Sequence, residues 1–285
     1  MNEQQQAGIA PLADRYEIFI FDLWGVLHNG IEAYPDALDC LRQLRQRGRS
    51  VALLSNAPRP GAVVAGEMAR LGISEDLYDA LMTSGDAAIA AYNADPRTAG
   101  RSFYHLGPER NRPTVEGCRG EERPLETAET IICTGPFDDE TETAEDYAEM
   151  FEAAVARGTI LICANPDVVV MRGEQMIPCA GALAEAYEQR GGLALRFGKP
   201  LAETYDMLLE RLPAVGRDKI LMIGDGFPTD IRGAAAAGID AVFVAHGIHA
   251  DVLGLAEGAI DAEALARLAD EYGVPIPRAI ERLRW

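Results

Sequence analysis

Two hydrophobic rhythms alternate along this chain. The stretch YEIFIFD, residues 16–22, is an almost unbroken apolar run closed by an acid, whereas residues 35–47 space their apolar side chains three and four apart. The first pattern predicts a strand and the second an amphipathic helix. SVALLSN at 50–56 and a helical pattern at 61–71 repeat the pair. The rhythm returns late in DKILMIGDG (218–226), the small-residue helix IRGAAAAG (231–238) and DAVFVAHG (240–247). Strand, helix, strand in this order predicts a doubly wound parallel sheet with helices on both faces, an α/β fold.

Between the two ends, SFYHLG (102–107), ETIICTG (129–135) and GTILICANPD (158–167) predict further strands, with acidic helical material at 138–157 separating the last two. Residues 86–195 are therefore expected to form an inserted domain, splitting a core made of 1–85 and 196–285. Residues 106–123, rich in Pro, Gly and Arg, are expected to be a solvent-exposed loop or short helix.

In open parallel sheets, ligands bind outside the carboxyl ends of the strands. Four polar signals fall where such ends are expected: Asp22 after IFIF, Ser55 and Asn56 after VALL, Lys199 after LALRFG, and Asp225 with Asp230 after ILMIG. An acid at a strand end, with Gly25 allowing close approach, suits a nucleophile or a metal ligand. Asp225 and Asp230 add the oxygen donors that Mg²⁺ prefers. A hydroxyl at Ser55 and an ammonium at Lys199 suit phosphoryl oxygens, so the set points to phosphoryl transfer.

Composition narrows the partners. Among 285 residues, 26 Lys and Arg face 45 Asp and Glu, a formal charge of -19 that repels nucleic acid and anionic membrane surfaces. An anionic substrate then needs a local cation, which Lys199 would supply. The first residues carry neither a basic stretch nor an apolar one, and no apolar run reaches spanning length, so a cytoplasmic location is expected. Five scattered cysteines without CxxC spacing predict buried thiols rather than disulfides or a zinc site.

DLWGVL, LLSN, GKP and GDGFPTD, in that order, resemble the four motifs of the haloacid dehalogenase superfamily. The HNG and YP after the first motif, NPD at 165–167 and TDIRGA in the last motif look most like its subfamily IIA. There a C2-type α/β cap lies between the second and third motifs of a Rossmann-like core. That subfamily includes phosphatases of sugar phosphates, phosphoglycolate, pyridoxal phosphate and nitrophenyl phosphate. The resemblance implies that Asp22 is the nucleophile, forming an aspartyl-phosphate on a small phosphorylated metabolite. Ser55 and the backbone N–H of Asn56 would hold a phosphoryl oxygen, and Lys199 would neutralise charge. Mg²⁺ would be bound by Asp22, Asp225 and the backbone carbonyl of Trp24. Asp230 would support the metal's waters or orient Lys199, and a homodimer through the cap would be in keeping with such proteins.

The chain departs from the family at Trp24, where a second Asp ordinarily acts as general acid and then base. Indole N–H is a donor without useful acidity. Positioned proton transfer contributes about 10²- to 10⁴-fold, so impaired catalysis is expected on substrates whose leaving groups need a proton. His28 is the nearest replacement donor by sequence, with a pKa near neutrality. Arg172, in the segment NPDVVVMRGEQMIP expected to face the site, would meet an anionic part of the substrate. Two rival readings accompany the phosphatase: a phosphate- or metabolite-binding protein with little turnover, and a 2-haloacid dehalogenase, whose aromatic residue at this position Trp24 resembles. Retention of Asp225 and Asp230 ranks the dehalogenase below the phosphatase.

Overall fold

The computed structural model describes residues 8–172, 175–247, 249–250, 252–255 and 260–285. Two parallel sheets organise it. The larger has six strands in the order β12-β11-β10-β1-β2-β3, where β1 is Ile18–Phe21, β2 Ser50–Ser55, β3 Ala80–Thr83, β10 Ile220–Gly224, β11 Asp240–Val244 and β12 Arg278–Ile280. Every pairing in it is parallel. The smaller has four parallel strands in the order β4 (Phe103–Leu106), β5 (Thr130–Cys133), β6 (Ile160–Cys163), β9 (Leu193–Arg196). A separate antiparallel hairpin pairs β7 (Val169–Arg172) with β8 (Gln175–Pro178).

The unbroken apolar strands follow from burial on both faces. Because successive side chains alternate, Phe19, Phe21, Val51, Leu53, Leu221 and Ile223 fall on one face. They pack there with α1 (Pro35–Gln46) and α2 (Gly61–Arg70). Ile18, Ile20, Ala52, Leu54, Ile220 and Met222 fall on the other, against α6 (Ala202–Leu209) and α7 (Arg232–Ala237). Each large apolar side chain so buried contributes about 1.5–3 kcal/mol. A polar residue within IFIF or ILMIG would therefore face a helix whichever position it took. The doubly wound expectation holds.

The smaller sheet is built alike. Ile131, Cys133, Leu161 and Cys163 pack on α4 (Ala148–Ala156) and α5 (Ala180–Gln189). Ile132 and Ile162 pack on the opposite side with Tyr92 of α3 (Ser84–Ala94), a helix that starts with a reciprocal Thr83–Asp86 capping box. Amphipathic α8 (Ala262–Glu271) covers Phe227 and Phe243 at the far edge of the larger sheet.

Two local expectations need correction. Residues 109–117 form a short 3-10 helix, one of the two forms expected there, but not a wholly exposed one: Asn111, Thr114 and Val115 are buried and the Thr114 hydroxyl donates to the Pro58 carbonyl at 2.8 Å. Proline and arginine there mark a tight packed turn. In the acidic stretch, helix begins only at Ala144, and the preceding residues are turns. Asp138 knits them, accepting from the Glu140 N–H at 3.0 Å and the Thr141 hydroxyl at 2.8 Å. Asp139 is buried there and paired with Arg110. The cysteines are free, four of them buried. Among the described residues, no helix is long and apolar enough to cross a membrane.

Candidate active site

The central strands β1, β2 and β10 end side by side, so the chemistry-bearing residues just beyond them are brought together by the strand order alone. A cavity of about 1060 Å³ opens there, lined by Asp22, Trp24, Ser55, Asn56, Lys199 and Asp225 among others. Its opposite wall comes from segments following strands of the smaller sheet, including Thr134, Asn165 and Asp167. Lys199 belongs to this second group. The strand before it, β9, pairs with β6 of the smaller sheet and not with the core strands, so the ammonium enters the core site from across the interface.

Lys199 is buried, and its Nζ lies 2.5 Å from Asp22 Oδ1 and 2.7 Å from Asp230 Oδ1. Asp230, under the floor of the cavity and 1% exposed, also accepts the Gly226 N–H at 3.0 Å through Oδ2. Both of its oxygens are thus engaged in holding the lysine and the loop after β10. Burial raises the pKa of Asp22 against the lowering influence of Lys199, and it pushes Asp230 up to about 6 against the same lysine. Burial acts to lower the Lys199 pKa, but the charges of Asp22 and Asp230, aided by Tyr205 and Asp167, together hold it above its ordinary value. The ammonium therefore stays charged.

Carboxylate oxygens of Asp22, Asp225 and Asp230 lie within 4.8 Å of one another. Three acids around one ammonium leave an excess of negative charge, and the all-oxygen donor set fits a hard divalent cation. The backbone is shaped around Asp225 in particular. A Cβ on Gly25 would stand 2.1 Å from Asp225 Oδ2, and one on Gly247 1.8 Å from the same atom. Gly25 also has φ +77, open to glycine at little cost.

Ser55 accepts the Ala57 N–H at 3.1 Å, which leaves its own proton to be donated. Asn56 is expected from the motif to contribute its backbone N–H; its side chain instead makes the notable contacts. Its Oδ1 accepts from the Lys199 N–H at 2.8 Å and the Ser84 hydroxyl at 3.0 Å. Its Nδ2 donates to Asp167 Oδ1 at 2.7 Å and the Lys199 carbonyl at 3.2 Å. Asn56 thus ties β2 to the lysine loop and to the opposite wall.

Trp24 lines the cavity, its ring edge-on to His28 with centroids 5.1 Å apart. His28 itself is 1% exposed and does not line the cavity. Its Nδ1 accepts the Gly30 N–H at 2.9 Å, its Nε2 has no partner, and burial pushes its pKa down to about 4. An imidazole that is enclosed, neutral and outside the cavity lining is not placed to protonate a leaving group, so the expectation of His28 as replacement donor is corrected: it packs beneath Trp24 and holds the Gly30 N–H. Arg172 ends β7, and its side chain lies outside the described residues.

Sequence reasoning missed Asp167 as a site residue, although NPD stood out as a motif. It also missed the Arg110–Asp139 pair in the cavity wall. Asp167 meets Asn56 only because the smaller sheet folds over the larger, whereas Arg110 meets Asp139 because β4 and β5, the strands that precede them, pair side by side in the smaller sheet.

Comparison with known proteins identifies the family. Residues 19–119 match the haloacid dehalogenase-like hydrolase family and residues 196–270 a second HAD-hydrolase-like family. A haloacid dehalogenase-like hydrolase from Brucella suis 1330 is 36% identical, with a TM-score of 0.84 over 98% of this chain and 99% of that one. The ribonucleotide monophosphatase NagD of Escherichia coli (strain K12) is 28% identical, covering 80% of this chain and 87% of its own. The 5'-nucleotidase YutF of Bacillus subtilis (strain 168) is 26% identical, covering 82% and 88%. Matching motifs, matching fold and full-length similarity to a solved member place this chain in the haloacid dehalogenase-like hydrolases.

Proposed function

We propose that this hydrolase is a Mg²⁺-dependent phosphomonoesterase acting on a small phosphorylated metabolite, of the kind represented by sugar phosphates and nucleotides. Residues 86–195 would serve as its cap. The observation that carries the reading is Lys199 held between Asp22 and Asp230 beside Asp225. A nucleophilic carboxylate, a fixed ammonium and a metal-binding acid share one buried site. The phosphatase name of NagD and the nucleotidase name of YutF support it.

In this reading, Asp22 attacks phosphorus and carries the phosphoryl group. Lys199 and the Ser55 hydroxyl hold its oxygens, and Asp230 fixes Lys199. Asp22, Asp225 and the Trp24 carbonyl would hold Mg²⁺, which when bound offsets phosphoryl charge. The cap wall excludes water and selects the substrate.

Release of nitrophenol from nitrophenyl phosphate, measured with and without Mg²⁺ in the native protein and in Asp22→Asn, tests the reading. Turnover that needs both metal and Asp22 is expected. Phosphate binding without turnover would favour the binding-protein alternative that Trp24 raises.

A further inference from the structure

The proposed reaction lacks a proton carrier. Trp24 stands where the resemblance expects one, and His28 is enclosed and neutral. In phosphoryl transfer the attacking and leaving oxygens lie roughly in line through phosphorus. With Asp22 on the core wall, the leaving oxygen points to the opposite wall, which the smaller sheet supplies. A carboxyl stands in that wall at Asp167.

We propose that Asp167 is the proton carrier of this enzyme, a catalytic residue that takes over from the cap side the work Trp24 cannot do. The inference rests on the phosphatase reading above. In the first half-reaction an Asp22 carboxylate oxygen bonds to phosphorus and the ester P–O bond breaks. The proton of the Asp167 carboxyl goes to the leaving oxygen, giving the alcohol. In the second, a water oxygen bonds to phosphorus, the Asp22–phosphorus link breaks and one water proton returns to Asp167, releasing phosphate.

Three features support this role. First, Asp167 is fixed. Its Oδ1 accepts from Asn56 at 2.7 Å, its N–H donates to Asn165 Oδ1 at 3.1 Å, and its carbonyl accepts from the Gly181 N–H at the start of α5. The carboxyl is thereby held beside the residue after Ser55. Second, the other acids of that wall are differently disposed: Asp139 is paired with Arg110, and Glu185 is exposed. Third, burial pushes Asp167 up to about 6, against Lys199 and the Asn56 hydrogen bond and with Asp230 adding to the rise. Asp22, Cys163 and Cys179 also sense its charge. A carboxyl poised near operating pH can both give and take a proton.

Asp167→Asn keeps an acceptor for Asn56 while removing the proton; Asp167→Ala removes both. Each is compared with the native protein on an alkyl phosphate, glycerol 3-phosphate, and on nitrophenyl phosphate, whose leaving group departs without a proton. For Asp167→Asn the expected result on the alkyl ester is a loss of about 10²- to 10⁴-fold. On the aryl ester it is a rapid burst of about one nitrophenolate per protein followed by slow turnover, with phosphoryl-Asp22 visible by intact mass. Equal losses on both esters without a burst, or an unchanged Asp167→Asn, would overturn the proposal. An impaired Asp167→Ala beside a normal Asp167→Asn would likewise reduce Asp167 to an anchor for Asn56. A native protein that hydrolyses neither ester would sink the phosphatase reading and this inference together.

Discussion

Lys199 Nζ stands 2.5 Å from Asp22 Oδ1, though 177 residues separate the two in sequence. The contact joins a loop leaving the smaller sheet to the central strand of the larger one, and it positions the proposed nucleophile. The same ammonium is 2.7 Å from Asp230. Removing it would leave two buried acids without a cation.

Lys199→Met should therefore cost stability as well as turnover. Breaking a buried pair by deleting one partner costs about 3–5 kcal/mol. Urea unfolding of the metal-free variant should show a loss of that order, and added Mg²⁺ should recover part of it by binding the stranded carboxylates. A stable, active Lys199→Met would refute the assigned role of this contact.

Asn56→Ala removes one side chain that accepts from Lys199 and Ser84 and donates to Asp167. Each buried group left without a partner costs about 1–3 kcal/mol. The expected kinetic signature is a fall in kcat with KM less affected, because the lysine loop and opposite wall lose their alignment with Ser55. Steady-state kinetics beside thermal unfolding would show whether both fall.

Gly247→Ala tests the metal site without replacing a ligand, since its Cβ would stand 1.8 Å from Asp225 Oδ2 and must displace that carboxylate. Displacing a ligand through its surroundings typically costs about 10- to 100-fold in metal affinity. The Mg²⁺ concentration for half-maximal activity should rise accordingly. Gly66→Ala, in α2 where a Cβ meets nothing within 4 Å, should leave that concentration unchanged and stabilise the protein by about 0.5–1 kcal/mol. Indistinguishable metal titrations for the two variants would argue against Asp225 as a ligand.

His28→Asn can keep an acceptor for the Gly30 N–H while removing the titrating ring. The folded-state pKa of His28 is depressed to about 4, so between about 6.5 and 4 the unfolded chain binds the extra proton and the native protein does not. That contribution is fully present above about 6.5 and is lost as pH falls through the window, at up to about 1.4 kcal/mol per unit, or roughly 3 kcal/mol in all. Acid unfolding should accordingly be shallower in the variant than in the native protein. Turnover at neutral pH should be retained, and its loss would return His28 to the reaction.

The sequence by itself carried the core sheet and half of the site. Apolar runs such as IFIF and ILMIG are legible because a strand covered on both faces admits no polar side chain. Asp22, Ser55 and Asp225 are legible because parallel strands bring the residues at their carboxyl ends to one edge of the sheet. The family motifs marked Lys199 and Asp230 without revealing that β9 belongs to the smaller sheet.

Tertiary structure decided the rest. Asn56 and Asp167 are 111 residues apart, and only the closing of one sheet over the other makes them partners. Arg110 meets Asp139 because β4 and β5 pair in the smaller sheet, which makes the acid part of the cavity wall. His28 looks available in sequence because a loop position says nothing about enclosure. Packing against Trp24 and the Gly30 N–H shuts it away. Periodicity and strand-end chemistry are fixed within a dozen residues of chain, whereas burial, and with it the partner and protonation of each polar group, depends on which distant surface comes to rest upon it.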